Sequence, residues 1–410
     1  MRRRHLLASI CLPAALALAA CGSSGGSGGK TGSGGSTSAT GGSTGTNNGL
    51  GTGKGFAFPQ NKPTGPCVLT SVAGASSLTQ TAYASWKNTY VVSASTGARV
   101  QRPENGNDTV SEGMGYGMLA AVYVNDQATF DQLWAFTKAN LDSNGLMNWH
   151  LNSNGSIAGG GAGSATDADE DIAFALLMAS DQWKGGTYLQ DGVAMVNAMR
   201  GPDVFTDGSI QNGDTWNSTN AMNPDYFSPA YYRVFAKAVD DPFWSTNVIE
   251  SGYAHLAALT GTAGLVPNST NLQNSVNASN CNTQGHTCDL KYGYDACRMP
   301  WRIGMDACWN NEPRAITYLT AIGNYFNSNG GVSGIGDAYT SPNGPKTSSN
   351  QNSAFIGPAG IAGMAVGLGT LRDNAFSFNN TSSNNSYFAQ SLRVLSMLMM
   401  SGNMLDYSQL

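Results

Sequence analysis

"VSEGMGYGMLAAV", residues 110–122, places one carboxylate, Glu112, directly ahead of a run of apolar residues. Apolar side chains at spacings of three and four predict a buried helix over about 113–125. Three glycines and Tyr116 lie in its first turns, and glycine lets other backbone or a ligand approach closely. Two interpretations of the acid are open. Either Ser111 or Glu112 caps the helix and complements its dipole, or Glu112 faces a ligand.

The same apolar spacing recurs along the chain and predicts eleven helices, with few convincing strands. The predicted helices lie at about 77–91, 113–125, 128–141, 168–183, 189–199, 228–239, 243–259, 299–309, 312–327, 353–370 and 385–402. Several of the polar, Gly-rich and Asn-rich loops between them are too long for simple turns, and such loops usually carry function. Helices in pairs with long loops between them indicate an all-α fold. We expect two concentric rings of helices, with loops that shape a cleft at one end.

The composition indicates an uncharged polymer as the partner. Only 11% of the 410 residues are charged, against roughly 25% in an ordinary soluble domain. The net charge is -5, and no cluster of Lys and Arg follows the first four residues. A nucleic-acid-binding surface requires such a cluster. We therefore expect no nucleic acid to bind.

The N-terminus reads as an export signal, with a basic start, an apolar stretch and small residues. Residues 18–21, LAAC, resemble a bacterial lipobox, which predicts removal of residues 1–20 and lipidation of Cys21. An ordinary signal peptide, cleaved near Ala20 without lipidation, is the alternative. The Gly/Ser/Thr-rich composition of residues 21–55 predicts a disordered linker, and we expect residues 56–410 to form the folded domain. We expect an exported lipoprotein at the cell surface or in the periplasm, or one released outside the cell.

Five cysteines belong to the part of the chain that would be exported as a folded domain: Cys67, Cys281, Cys288, Cys297 and Cys308. An oxidising compartment permits disulfides, and Cys281 with Cys288, which flank a short polar loop, form the most plausible pair. Five is an odd number, so at least one cysteine is free, and the other pairings are open. A zinc site is less favoured, because only His286 of the four histidines lies nearby. We expect no metal and no cofactor.

A second group of acids lies in SATDADEDIAFALLMA, residues 164–179. It contains Asp167, Asp169, Glu170 and Asp171. Thr166 or Asp167 can cap a helix here, and the other acids suit its first turn. A calcium loop is excluded, because the turn glycine and the twelfth-position glutamate are missing. Capping needs only one or two acids, so we expect at least one of the four to face a ligand.

A third charged group lies in KYGYDACRMPWRIGMDACW, residues 291–309. Asp295 and Arg298, three residues apart, can pair on one helical turn and keep the carboxylate ionised. A purely structural salt bridge is the alternative.

Elsewhere, aromatic residues offer flat faces on which sugar rings can stack, although each can equally pack in the core. They are Trp149, Tyr226, Tyr231 and Tyr232.

Three blocks of the sequence resemble, in order and separation, the signature blocks of glycoside hydrolase family 8. They are SEGMGYGML, ATDADEDIAFALL and YGYDACRMPWRIGMD. The resemblance covers about residues 75–402. It implies an (α/α)6 barrel with an open substrate groove, formed by loops at one end, and endo-acting cleavage of β-1,4-glycosidic bonds with inversion.

The resemblance also implies roles for single residues. Glu112 would be the general acid and Asp295 the general base, with Arg298 as the charge partner of Asp295. Asp167 resembles the residue that grips and distorts the sugar at the cleavage site. A tyrosine would place the attacking water, and Tyr231 matches best by separation, although neighbouring aromatic residues keep this open. Inversion requires carboxyls roughly 6.5–9.5 Å apart and a raised pKa on the acid.

The residues around the predicted base favour a glucan as substrate. Trp301 and Arg302 resemble the endoglucanase branch of the family, and Trp149 suits a glucan subsite. We therefore expect a monomeric enzyme that cleaves cellulose or mixed-linkage β-glucan, with Tyr116 and Tyr226 as further substrate-binding residues. An endo-xylanase or chitosanase of the same fold is the alternative within the family. A surface lipoprotein that binds polysaccharide without cleaving it, or one with a structural or adhesive role, is the alternative outside enzymes.

Overall fold

The structure is a computed structural model that describes residues 48–215, 222–270, 282–283, 286–383 and 385–410. At 282–283 and 286–287 it describes the backbone alone. The predicted signal peptide, Cys21, the linker up to residue 47 and Cys281 lie outside the described residues. The predictions made for them stay predictions.

Twelve α-helices occupy much of the described chain. They are α1 Ala75–Tyr90, α2 Ser111–Tyr123, α3 Gln127–Ala139, α4 Thr166–Gln182, α5 Tyr188–Met199, α6 Pro229–Val239, α7 Ile249–Leu259, α8 Met299–Asn310, α9 Pro313–Ser328, α10 Ser353–Ala365, α11 Gly369–Thr381 and α12 Tyr387–Met400. Eleven of them coincide with predicted helices. The prediction of one helix over 353–370 is wrong at its end, because α10 stops before Gly367, which has a φ of 75°, and the more polar α11 follows. Within the described ranges, no helix is both long and apolar enough to cross a membrane.

Short antiparallel strands link some of the helices. They are β1 Val91–Ser93, β2 Ala98–Val100, β3 Thr109–Val110, β4 His150–Leu151, β5 Asn282–Thr283, β6 His286–Thr287, β7 Lys291–Tyr292, β8 Ala338–Thr340 and β9 Lys346–Ser348. The first six pair as β1–β2, β3–β4 and β5–β6, and β7–β8–β9 form a three-stranded sheet. In the β3–β4 pair Val110 lies opposite His150. This register brings the loop that carries Trp149 beside the start of α2.

The even-numbered helices form a closed inner ring. Around the ring, α2 contacts α4, α4 contacts α6, α6 contacts α8, α8 contacts α10, α10 contacts α12, and α12 contacts α2. The odd-numbered helices pack outside this ring. Every residue of α4 and α10 is buried, which explains why these helices are not strongly amphipathic. The arrangement is an (α/α)6 barrel and confirms the predicted fold class.

A strap formed by residues 50–72 crosses the C-terminal ends of several inner helices. The backbone N–H groups of Gly53, Val68 and Thr70 donate to carbonyls near the ends of α4, α10 and α12, at 3.0, 3.1 and 2.9 Å. The last carbonyls of a helix have no partner within the helix. The strap therefore satisfies these groups and covers this end of the barrel.

The folded domain begins before residue 56. Thr52 donates its backbone N–H and its hydroxyl to Asp181 Oδ1, both at 2.9 Å, and Leu50 is buried. Gly53 has a φ of 54°, and a Cβ there would lie 3.1 Å from the Cα of Lys184. The prediction of a disordered linker is therefore wrong for residues 48–55, where glycine serves a left-handed backbone and close packing.

A disulfide joins the strap to the inner ring. Cys67 and Cys308 are bonded across 241 residues of sequence, with their Cα atoms 5.3 Å apart. Cys297 is free and buried, which confirms that at least one cysteine is unpaired. Cys288 is also disulfide-bonded. Because Cys281 is not among the described residues, the predicted Cys281–Cys288 pair stays a prediction.

Candidate active site

The N-terminal ends of the inner helices meet at the end of the barrel opposite the strap. Glu112 is the second residue of α2, Asp167 the second of α4, and Tyr387 the first of α12. Arg298 is the N-cap residue of α8, and Asn352 is that of α10. Each helix contributes the positive end of its dipole to this end of the barrel, which favours carboxylates.

The guanidinium of Arg298 lies at the centre of the site and is only 2% exposed. Its Nη1 donates to Glu112 Oε2 and to Asp167 Oδ2, both at 2.6 Å. Its Nε lies 2.6 Å from Asp225 Oδ2, and its Nη2 lies 3.7 Å from Asp295 Oδ1. A buried charge requires compensation, and here a single cation is shared by four carboxyl groups.

Glu112 combines partial exposure with a raised pKa. Its side chain is 20% exposed, and its Oε1 accepts a hydrogen bond of 2.9 Å from the Tyr387 hydroxyl. Burial raises the pKa of Glu112 to about 7; Asp167 raises it further, while Arg298 lowers it. The carboxyl is therefore partly protonated near neutral pH.

Asp295 is the most exposed of the four carboxyls, at 49%. Burial of the carboxyl against the protein raises its pKa, and Arg298 opposes this increase. The preceding residue, Tyr294, is 45% exposed. Its hydroxyl donates to Asp337 Oδ2 at 2.8 Å and accepts from Asn352 Nδ2 at 3.2 Å, so the ring is held rigidly beside Asp295.

The interpretation of Glu112 and Asp167 as helix caps is wrong. The N-cap residues of α2 and α4 are Val110 and Ala165, and neither helix has a side-chain cap. Both carboxylates instead bind the guanidinium of Arg298. Their position in the first turn keeps the favourable interaction with the helix dipole.

The glycines of α2 provide space for other helices. A Cβ at Gly113 would lie 3.1 Å from the ring of Tyr387, and one at Gly115 would lie 2.7 Å from Asp171 Cβ. Side chains of α12 and α4 therefore fill the space beside these glycines, which the sequence left open for backbone or a ligand. This close approach brings Tyr387 within reach of Glu112.

Two further acids of α4 support the site from within the barrel. Asp171 and Arg302 are fully buried and form two hydrogen bonds of 2.7 and 2.9 Å. Glu170 accepts a 2.6 Å hydrogen bond from the hydroxyl of Tyr232, and its pKa is well above the ordinary value because it is buried. Of the four acids in this segment, only Asp167 contacts Arg298.

Three of the aromatic residues predicted to bind substrate are at most 1% exposed, and for these three the prediction of direct contact with a sugar is wrong. Tyr231 is fully buried and stacks on Phe174, with ring centroids 3.9 Å apart. Trp301 is also fully buried, and Tyr116 packs edge-on against it. The Tyr116 hydroxyl lies 3.4 Å from Arg298 Nη1. These side chains support the site from behind and leave no face on which a sugar can stack.

Two other predicted aromatic residues do lie at the site. Trp149 is half-buried, and its indole Nε1 donates to the carbonyl of Gly160 at 2.9 Å. Its own carbonyl accepts from the backbone N–H of Ser111 at 2.9 Å, which places it beside α2. Tyr226 is buried, with its ring centroid 5.5 Å from the guanidinium carbon of Arg298. Of the two tyrosines Tyr226 and Tyr231, therefore, Tyr226 lies beside the charged cluster.

Sequence reasoning misses Asp225, Tyr294 and Tyr387. Asp225 and Tyr294 lie next to residues that the sequence does single out, Tyr226 and Asp295, but the residues that they contact are distant along the chain. Tyr387 follows a polar loop and precedes an apolar helix, a position that is typical of an ordinary helix start. Among the described side chains, no group of three or more His, Cys, Asp or Glu is arranged to hold a metal ion.

Comparison with known proteins gives a consistent result. The family model for glycosyl hydrolases family 8 matches residues 57–402. Endoglucanase C of Ruminiclostridium cellulolyticum is 35% identical over 365 residues, covering 85% of this chain and 76% of that protein. Endoglucanase A of Acetivibrio thermocellus is 36% identical over 374 residues, covering 85% of this chain and 74% of that protein. The apo structure of a β-1,3-1,4-glucanase from Paenibacillus sp. X4 superposes with a TM-score of 0.76 at 31% identity, covering 86% of this chain and 99% of that one.

Two buried carboxyls fix the loops that lead into α4. Asp169 Oδ1 accepts from the backbone N–H of Met147 at 3.0 Å, and Asp203 Oδ1 accepts from the Ser164 hydroxyl at 3.1 Å. In the described part of the chain, neither forms an ion pair with Lys or Arg. Burial raises the pKa of Asp203 to about 8. The folded protein therefore holds a proton that the unfolded chain has lost above about pH 4.

We expect Asp203→Asn to stabilise the protein at alkaline pH. Because the folded state raises this pKa, stability decreases as the pH rises from about 4 to 8, and a side chain that cannot ionise avoids the loss. The variant should gain about 1–3 kcal/mol at pH 9 and little at pH 4, measured by chemical unfolding. Asp207→Asn is the control, because hydrogen bonds from Ser209 lower the pKa of Asp207 and predict no gain. Equal stabilities of Asp203→Asn and wild type at pH 9 would contradict this account.

Proposed function

Because the chain belongs to glycosyl hydrolase family 8, we propose that it cleaves internal β-1,4 bonds of a glucan with inversion, using Glu112 as general acid and Asp295 as general base. The observation that carries this proposal is that both carboxyls contact one guanidinium, that of Arg298, while they differ in environment. One is mostly buried and has a pKa raised to about 7, and the other is half-exposed.

Glu112 has the properties that a general acid requires. Such a group must be protonated at the working pH and must reach the leaving oxygen. Burial holds its pKa at about 7, and 20% of its side chain is still accessible. The Tyr387 hydroxyl and Arg298 Nη1 fix its two oxygens, so the carboxyl is oriented before substrate binds.

Asp295 has the properties of the base that activates water. Its half-exposed carboxyl can contact solvent, and Arg298 Nη2 favours the ionised form. The two terminal nitrogens of a guanidinium share one carbon, so contacts of 2.6 and 3.7 Å limit the distance between the Glu112 and Asp295 oxygens to less than about 9 Å. This upper limit is compatible with the separation of roughly 6.5–9.5 Å in inverting enzymes. We assign Tyr226, next to Arg298, to placing the water, and Asp167 to gripping the sugar.

A glucan is the proposed substrate class. The named relatives are endoglucanases and a β-1,3-1,4-glucanase, and the half-buried Trp149 and exposed Tyr294 offer faces for neutral sugar rings. Release of reducing ends from carboxymethylcellulose, mixed-linkage β-glucan, xylan and chitosan tests this directly. Faster cleavage of xylan or chitosan would replace the substrate assignment, and binding without release would make the protein a non-catalytic polysaccharide-binding lipoprotein.

We also propose that the protein is exported and anchored through Cys21, on the strength of the lipobox-like residues 18–21. The chain between Cys21 and residue 48 would then tether the catalytic domain to a membrane surface and let it reach insoluble polymer. Fractionation of cells that express Cys21→Ser provides the test, because loss of the acyl chains should release the enzyme from the membrane fraction.

Glu112→Gln and Asp295→Asn should each lower kcat/KM on a glucan by about 10²–10⁴-fold. Both substitutions keep the size of the side chain and remove the proton donor or the base, so circular dichroism should stay unchanged. Glu250→Gln is the matched control, because Glu250 is an exposed carboxylate on the outer helix α7. Activity within threefold of wild type in either site variant would contradict the assignment.

The pH dependence of kcat/KM should have an alkaline limb with a midpoint near pH 7. Glu112 must be protonated to act, and its pKa is about 7, so activity decreases as the pH rises through this value. Initial rates on a soluble glucan between pH 4 and 9 give the midpoint, and thermal unfolding at each pH separates titration from unfolding. A rate that stays level up to pH 9 would exclude Glu112 as the acid.

A further inference from the structure

The carboxylate of Asp295 takes its position from the backbone that carries it. In the described part of the chain, no donor forms a hydrogen bond with its two oxygens, and its ion pair with Arg298 Nη2 spans 3.7 Å. Asp295 belongs to a turn between β7 and α8, residues 293–296, which we call the Asp295 turn. Any group that fixes this turn therefore also fixes the proposed base.

The side chain of Asn268 holds this turn on both sides of Tyr294 and Asp295. Its Oδ1 accepts from the backbone N–H of Gly293 and from that of Ala296, both at 3.0 Å. Asn268 is 7% exposed, and Ala296 is fully buried. A buried N–H at the start of a helical segment needs an acceptor from outside that segment, and here one amide oxygen serves two such groups.

A second set of contacts fixes the orientation of the Asn268 amide. Its Nδ2 donates to Asp289 Oδ2 at 3.0 Å, and its backbone N–H donates to the carbonyl of Lys291 at 2.7 Å. The opposite orientation would place an NH₂ group against two N–H donors. Gly293 permits this close packing, because a Cβ there would lie 2.7 Å from Asn268 Nδ2. Asn268 thus ties the loop after α7 to the strand and turn that lead to Asp295.

We propose that Asn268 is a positioning residue for the general base, which fixes the Asp295 turn and so holds the carboxylate where it can activate water. The inference rests on the function proposed above. Tyr294, in the same turn, is held separately through its hydroxyl by Asp337 and Asn352. Loss of the Asn268 side chain should therefore displace Asp295 more than the ring of Tyr294. A displacement of about 1 Å at a reacting group can cost about 10²-fold in rate.

The test is a double-mutant cycle between Asn268 and Asp295. Asn268→Ala removes the acceptor of both N–H groups and should lower kcat on a glucan by about 10–10²-fold. In the Asp295→Asn background no base is left to position, so the same substitution should cost less than about twofold more. Asn268→Ser, whose hydroxyl is too short to accept from both groups, gives the same comparison if the alanine variant does not fold.

A substrate with a good leaving group separates an effect on the base from one on the acid. On a dinitrophenyl cello-oligosaccharide the phenolate departs without a proton, so Glu112→Gln should keep much of its activity. Asn268→Ala should lose as much on this substrate as on a glucan, because water must still be activated.

Asn343→Ala is the matched control. Asn343 Oδ1 also accepts two backbone N–H groups of the loop after α7, from Thr262 at 2.7 Å and Ala263 at 3.0 Å, but it does not contact the Asp295 turn. This variant should keep kcat within twofold of wild type. The exchange of Asn268→Asp together with Asp289→Asn keeps an acceptor for the turn and a donor between the two side chains. It should retain more activity than Asn268→Ala.

The outcomes separate this inference from the proposed function. If Asp295→Asn keeps activity within threefold of wild type, the assignment of the base fails. If that assignment stands and a folded Asn268→Ala keeps kcat within twofold, the role of Asn268 is wrong. An equal loss in the Asp295→Asn background, in Asn343→Ala or in the exchange variant would also overturn it, because the effect would then follow from general loosening of the fold.

Discussion

The buried guanidinium of Arg298 is the interaction on which the site depends. Transfer of such a charge into the protein interior costs several kcal/mol unless it is paired, and its partners come from α2, α4, the turn before α6 and the turn before α8. The starts of these elements can reach one cation only if the inner helices run parallel and close into a ring. Packing of the barrel and assembly of the site therefore depend on each other. A shift of any of these helix starts would leave one edge of the Arg298 guanidinium unpaired.

The two ends of the barrel satisfy their backbone groups in different ways. At the C-terminal ends of α4, α10 and α12, the strap supplies N–H donors to carbonyls that have no partner within the helix. At the other end, carboxylates lie against the N-terminal turns, where the helix dipole favours them. Because the strap covers the C-terminal ends of the inner helices, this end of the barrel is not open for chemistry. The polarity of the helices thus decides which end of the ring holds the candidate active site.

The sequence predicts the parts of this structure that depend on local pattern. Spacing of apolar residues locates eleven helices, and the three blocks that resemble the family's signature contain Glu112, Asp167 and Asp295. The direction in which a side chain points is harder to predict. Trp301 is only one turn beyond Arg298 yet points into the core, because closure of the ring sets its orientation. Asp225 escapes notice because its partner lies 73 residues away. Composition also misleads at residues 48–55, where the same glycines that indicate disorder permit the left-handed turns of a packed strap.

An excess of carboxyls over cations gives the site its chemistry. With one guanidinium among four acids, full ionisation would leave net negative charge in a largely buried volume, which desolvation makes unfavourable. Some of these carboxyls therefore hold protons near neutral pH, as the raised pKa values of Glu112 and Asp225 indicate. The most exposed of these carboxyls, Asp295, has the smallest desolvation cost on ionisation. Differences in burial around a single cation thus suffice to place a proton on one carboxyl and a negative charge on another, which is the distinction that an acid and a base require.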